Sequence, residues 1–313
     1  MTTKRVTMEK STTISNEKTL IVIAGPTASG KTALAIKLAK EFDTEIVSAD
    51  SRQFYREMTI GTAKPSPDEL QAVKHHFIGH ISIFDKYDIS RFETDAMQVI
   101  TQLFLSHNIV ILCGGSGLYI DAVVKGVDEL PDVDMEVRNH LKQMLELKGL
   151  DYLLSVLRDI DPEYYDVVDK KNPIRIIRAI EVFQTTGQKF SMLRKGVDKH
   201  RDFAIQKFVI ATNREMLNEK ISRRVDQMIS AGLVEEAKQL FLHQHLNALQ
   251  TVGYRELFDC FEGRLSLSEA IEKIKTNTRR YAKKQITWLK RDASYRWLPA
   301  EQIVAELREA YGK

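Results

Sequence analysis

The stretch TLIVIAGPTASGKTALAIKLAKEF, residues 19–42, constrains the fold of this chain more than any other. It opens with a short apolar run that ends at Gly25 and Pro26. It closes with Ala33, Ile36, Leu38 and Ala39 at helical spacing, so the whole reads as strand, turn, helix. Between them, Gly25, Pro26, Thr27, Ala28, Ser29, Gly30, Lys31 and Thr32 match G-x-x-x-x-G-K-[ST] in the context that motif requires. The glycines let the chain curl until backbone N–H groups point into a cavity at the positive end of the next helix. Lys31 adds a point charge there, and the Thr32 hydroxyl is placed to hold Mg²⁺. The loop specifies a polyphosphate. It does not specify a nucleoside.

TEIVSAD (44–50), NIVILCGG (108–115) and IQKFVIATN (205–213) read as further buried strands separated by helical stretches. That alternation predicts a parallel sheet whose ligands gather at the carboxyl ends of its strands. From 121 to 202 the pattern is helical only. One segment there begins at an Asp cap and stops at Gly149; another has Asn172 as cap, Pro173 in its first turn and Gly187 as stop. The expectation is a P-loop NTPase-like α/β core over 19–120 and 203–313, a helical insertion over 121–202, and a loose tail over 1–18.

At 43% hydrophobic residues, 313 positions supply ample core. The polar N-terminus has no signal-peptide character and no run approaches a membrane span, which favours a cytoplasmic protein. Cys113 and Cys260 are too few for a disulfide framework or zinc ribbon. His75, His76 and His80 cluster in HHFIGH without a Cys or acidic group to complete a metal site.

Two features bear on chemistry. IVILC ends in Gly114, Gly115, Ser116 and Gly117, where a nucleotide hydrolase usually carries an acid that orients its metal. The acid appears instead as Asp50, after IVSA. The residues alone leave open whether Asp50 or Ser51 merely caps a helix, with Gln53 closing a capping box, or Asp50 does chemistry. The second feature is KIKTNTRRYAKKQITWLKR, between Glu272 and Asp292, with eight Lys or Arg and no acid. On a helical wheel Arg279, Arg280, Lys283, Lys284, Lys290 and Arg291 fall in one half, opposite Ile274, Tyr281, Ala282, Ile286, Trp288 and Leu289. A one-signed face of this kind suits a polyanion, nucleic acid above all. In VGYREL, Gly253 punctuates, and Tyr254 and Arg255 are open to packing or RNA contact.

GPTASGKTALA, SADSRQFYREMTIGTAKP, HHFIGH, GGSGLYI, ISRRVDQMISAGLVEEA, VGYREL and RRYAKKQITWLKR, in this order, resemble the bacterial tRNA dimethylallyltransferases from about residue 20 to 299. The resemblance implies an enzyme moving a dimethylallyl group from dimethylallyl diphosphate to the exocyclic amine of the adenosine just 3′ of the anticodon, in tRNAs reading codons that begin with U. The phosphate loop would then hold an isoprenoid diphosphate, with Mg²⁺ and without ATP, in a channel that donor and adenine enter from opposite ends. Position by position, the resemblance makes Asp50 the general base and Arg224 a partner of Lys31 and Thr32 at the diphosphate. It assigns tRNA contact to Ser51, Arg52, Gln53 and Ser116, to Ile174, Arg175, Ile176, Ile177 and Arg178, and to Gly253, Tyr254 and Arg255. Arg280, Lys283 and Lys284 join that set from the basic helix. The partner would be the anticodon stem-loop, met by a monomer. Ser116 stands where the family commonly has Thr, Thr59 where Asp is frequent, and Asn218 where Tyr is. A P-loop kinase of a nucleoside or metabolite, and an RNA-binding module using the loop as a switch, are the rival readings.

Overall fold

The computed structural model describes residues 17–132, 134–196 and 198–312. Apart from Glu17 and Lys18, the expected tail lies outside them. The chain divides into two compact units, Met1–Val124 with Arg201–Lys313, and Lys125–His200.

The first unit is built on strands β1 (Thr19–Ala24), β2 (Ile46–Ser48), β3 (His75–His76), β4 (Ile109–Gly114), β5 (Ala204–Ile210) and β6 (Arg296–Leu298). They form one all-parallel sheet in the order β3-β2-β4-β1-β5-β6. Helices α1 (Lys31–Glu41), α2 (Pro67–Ala72) and α3 (Ile89–Leu103) connect the early strands, and α4 (Gly117–Lys125) follows β4. In the second unit lie α5 (Met135–Ile160), α6 (Pro162–Val167), α7 (Pro173–Thr186) and α8 (Phe190–Leu193). The chain returns through β5 to α9 (Arg214–Ser230), α10 (Leu233–Leu240), α11 (Tyr254–Phe261), α12 (Leu267–Leu289) and, after β6, α13 (Ala300–Tyr311).

Alternation along β1 explains the layers. Leu20, Val22 and Ala24 enter one core with residues of α3, α10 and α11, while Ile21 and Ile23 enter another with α1 and α13. Both faces of the sheet are therefore covered, as a parallel sheet requires. The buried stripe of α1 is Leu34, Ala35, Leu38 and Ala39; Ala33, expected on it, is exposed. β2 is shorter than the run 44–50: the Ala49 amide makes the last bond to β4, at the Cys113 carbonyl 2.8 Å away, and residues 51–54 form a turn.

In the second unit Asp134 caps α5 through the amides of Glu136 and Val137, and Asn172 and Gly187 bound α7. Gly149, at φ 78° and ψ 177°, interrupts α5, and a second helical stretch resumes immediately after it. The core is drawn from α5, α6, α7 and α8. Among the described residues no helix is long and apolar enough to cross a membrane.

Candidate active site

The phosphate loop leaves the carboxyl end of β1, the strand that has β4 on one side and β5 on the other. Ala28 at φ 62° and Gly30 at φ 92° curl it, so that α1 begins at Lys31 with its first amides lacking intrahelical acceptors. A Cβ at Gly25 would stand 2.7 Å from the Ser29 hydroxyl, which would have to rotate away. That hydroxyl is buried and has no partner. Lys31 Nζ rests on the Pro26 carbonyl at 3.2 Å.

The loop floors a cleft of about 330 Å³ that Lys31, Thr32, Asp50 and Arg224 share. A narrower pocket of about 90 Å³, lined by Ile221, Val225, Met228 and Ile274 among others, shares Thr27, Asp50, Thr62, Ala63 and Arg224 with it. Asp50 stands where the two meet. Burial pushes the pKa of the Lys31 ammonium down, with Asp50 the chief opposing influence; the same pair of effects acts on Arg224. An anion bound among these groups would favour the charged form of the lysine.

Asp50 caps no helix. Its Oδ1 accepts the Arg52 amide at 3.3 Å within a turn, and Gln53 donates instead to the carbonyls of Thr62 and Ala63. The capping-box alternative is therefore absent from the structure. Ser116 accepts the Ser51 amide at 3.1 Å and bonds its hydroxyl at 3.2 Å. Arg52 is tied to the carbonyls of Asn247 and Ala248 at 2.9 and 3.0 Å. The Arg224 guanidinium reaches the Ala63 carbonyl.

Several positions expected to meet RNA are placed in the packing. Tyr254 is 0% exposed; its hydroxyl donates to Glu236 at 2.6 Å, and its ring lies where a Cβ on Gly61 would be. Glu236 in turn accepts the amides of Thr59, Ile60 and Gly61 at 3.0, 2.8 and 2.9 Å. Tyr254 thus clasps the loop that carries Thr62 and Ala63. Gly253 is buried at φ 99°, and of this trio only Arg255 is exposed. In the second unit Ile176 and Ile177 belong to the core. Arg178 is spent on buried Glu181, 2.7 Å away, and on the Pro131 carbonyl. Ile174, 78% exposed, and Arg175 face outward. A run of five residues spans more than a helical turn, so it cannot present one surface.

The basic helix is corrected in the same way. Arg280, Lys283 and Lys284 are exposed on α12, but Arg279 turns to the Ser222 hydroxyl of α9 at 2.8 Å, and α12 ends before Lys290 and Arg291. Acids absent from the segment come from neighbours: Lys275 pairs with Asp226 and Glu272, and Lys273 with Asp259. Tyr281, read as packing, is 40% exposed overall but turns its phenol toward the narrower pocket beside Asp50, where desolvation and the Asp50 charge push it up to about 12. Tyr281 and the loop 59–64 lie within stretches that carry the resemblance, but no site role was assigned to them from the sequence. His76 bonds Glu45 at 2.6 Å and His75 the Val73 carbonyl at 2.8 Å. Burial pushes the Cys113 thiol up to about 12, so it stays protonated at neutral pH.

A parallel sheet with a phosphate loop at its central strand, and a carboxylate between that loop and a second pocket, defines the class of P-loop-type phosphate-binding proteins built for group transfer. The IPP transferase family profile matches residues 53–292, and the chain belongs to that family. It is 47% identical to "tRNA dimethylallyltransferase 1" of Bacteroides fragilis over 91% of this chain and 95% of the relative. It is 49% identical to the tRNA dimethylallyltransferase of Christiangramia forsetii over 90% and 94%. The crystal structure of a tRNA isopentenylpyrophosphate transferase from Bacillus halodurans superposes with a TM-score of 0.66 at 32% identity, covering 93% of this chain and 94% of that one. A eukaryotic dimethylallyltransferase acting on tRNA gives 0.74 at 27%, covering 94% and 76%.

Proposed function

We propose that this protein is a tRNA dimethylallyltransferase: it transfers the dimethylallyl group of dimethylallyl diphosphate to the exocyclic amine of the adenosine immediately 3′ of the anticodon, in tRNAs reading codons that begin with U. The observation that carries the reading is the position of Asp50 between the two pockets, facing Lys31 and Arg224, in a chain of the IPP transferase family. The bond from the prenyl carbon to the diphosphate oxygen breaks and its electron pair leaves with the diphosphate. A bond from the adenine nitrogen to that carbon forms.

An exocyclic adenine amine is a weak nucleophile because its lone pair is delocalised into the ring. Asp50, with one oxygen oriented by the Arg52 amide, accepts the amine proton as the new bond grows. Charge developing on the leaving diphosphate falls to the amides at the start of α1, to Lys31 and to Arg224. For Mg²⁺ the donor set fits a weakly held ion: the Thr32 hydroxyl lines the cleft, while no group of three His, Cys, Asp or Glu gathers among the described residues. The Thr32 hydroxyl would be the protein's ligand to such an ion, which would supply further charge neutralisation at the diphosphate. Because the target base must leave its stack to reach Asp50, RNA is met as an unstacked loop. Arg255, Arg280, Lys283 and Lys284 on the first unit, and Ile174 and Arg175 on the second, supply the exposed contacts.

The deciding experiment offers dimethylallyl diphosphate or ATP, each with and without unmodified tRNA. Prenyl incorporation into tRNA from the first donor alone is expected. Phosphoryl transfer from ATP would instead identify a kinase, and RNA binding without turnover a binding module.

A further inference from the structure

Helix α12 offers two faces to its surroundings, and the inward one is built into the phosphate loop. Gln285, 7% exposed, accepts the Thr27 amide at 2.8 Å and donates to the Gly115 carbonyl at 2.8 Å. A Cβ on Gly115 would stand 2.4 Å from that same amide nitrogen, so the strand end and the glutamine are fitted to each other. One turn earlier Tyr281 lines the pocket beside Asp50; one turn later Trp288 donates to Asp121 at 3.0 Å and covers Gly117. Positions 281, 285 and 288 share one helical face.

A phosphate loop works by aiming backbone amides inward. In this chain the Thr27 amide is already taken by a side chain that arrives from 258 residues further along. That bond fixes the start of the loop, and the second bond, to Gly115, fixes the glutamine. We infer that Gln285 is a positioning residue for the transfer: by clamping Thr27 against Gly115 it holds the diphosphate loop in its receptive shape. The role rests on the proposed prenyl transfer for its kinetic consequence, and on geometry alone for its effect on diphosphate.

Gln285→Met keeps the length and bulk of the side chain and removes both hydrogen bonds. It is expected to raise the KM for dimethylallyl diphosphate, and the Kd for inorganic diphosphate by calorimetry, roughly tenfold or more, since two buried backbone groups lose their partners. Affinity for an anticodon stem-loop RNA stays within about twofold. Filling space alone would leave both diphosphate measures unmoved, and that outcome overturns the inference. Should the variant fail to fold, amide exchange in the wild-type protein decides: Thr27 is expected to be protected without ligand while Ala28 exchanges fast, and equal exchange at the two sites overturns the clamp. Should the wild-type protein transfer no prenyl group, the functional reading falls, while diphosphate affinity and exchange still decide the role of Gln285.

Discussion

The phosphate loop and helix α7 are both contiguous runs to which the resemblance assigned ligand contact, and they behaved differently. In the loop, Thr27, Ala28, Gly30, Lys31 and Thr32 line one cleft and the positive φ of Ala28 and Gly30 curls it, because successive residues of a curled backbone share a concave path. In α7, residues 174–178 divide between solvent, core and an internal ion pair. A contiguous motif can be a site when the backbone is the ligand. On a helix, adjacency in sequence sends side chains in different directions.

The sharpest test of the cleft is Asp50→Asn. Turnover should fall by about 10²- to 10⁴-fold while donor and RNA affinities hold, read as kcat against KM. Unchanged turnover would remove the carboxylate from the chemistry. On α7, Ile176→Ala should cost about 2–5 kcal/mol in denaturant unfolding as a buried side chain is truncated, whereas Ile174→Ala should change stability by no more than about 0.5 kcal/mol. Equal costs at the two positions would erase the contrast within that run.

A smaller effect is expected where β5 meets the residues after α12. Burial pushes the Asp292 carboxyl up, but Lys207 at 2.8 Å and the Ser294 donors outweigh it, so the net pKa lies well below the usual range. A carboxylate depressed in the folded state adds stability that is present above its unfolded pKa near 4 and is lost as pH falls through the folded value. Asp292→Asn should therefore lower stability by about 2 kcal/mol at neutral pH, with the gap closing on acidification below about 4. A gap that persists in acid would assign it to shape alone. The smallest effect belongs to the outer face of α12: replacing Lys283 and Lys284 with Ala should reduce the slope of log affinity for RNA against log salt by about 2, measured by titration at several ionic strengths. An unaltered slope would make that face a solvated surface.

Much of this was legible in the linear chain. Gly25 to Thr32 announced a phosphate cradle, the spacing of apolar runs announced a parallel sheet, and the Gly114 to Gly117 end of β4 announced the missing hydrolase acid. From the residues alone Asp50 was an acid after a strand, with a capping alternative that its turn and the direction of Gln53 removed; only the resemblance named it as the base. Gln285 and Tyr281 sit in a stretch that carries the resemblance, but nothing local marks them for the cleft: in a cationic run a glutamine that reaches a loop looks like one that reaches water. Tyr254 was open between packing and RNA until the Glu236 carboxylate was found bonding both it and the amides of residues 59–61.

By itself, then, the amino-acid sequence determined what depends on local backbone conformation and periodicity: the strands, the curled loop, the helix caps at Asp134 and Asn172, and the family. Tertiary structure decided which side chains of a helix face the cleft, which face solvent and which fill the core. That division follows from helix geometry. A residue's neighbours along the chain set its backbone, but its side chain is committed only when another element, distant in sequence, arrives to meet it.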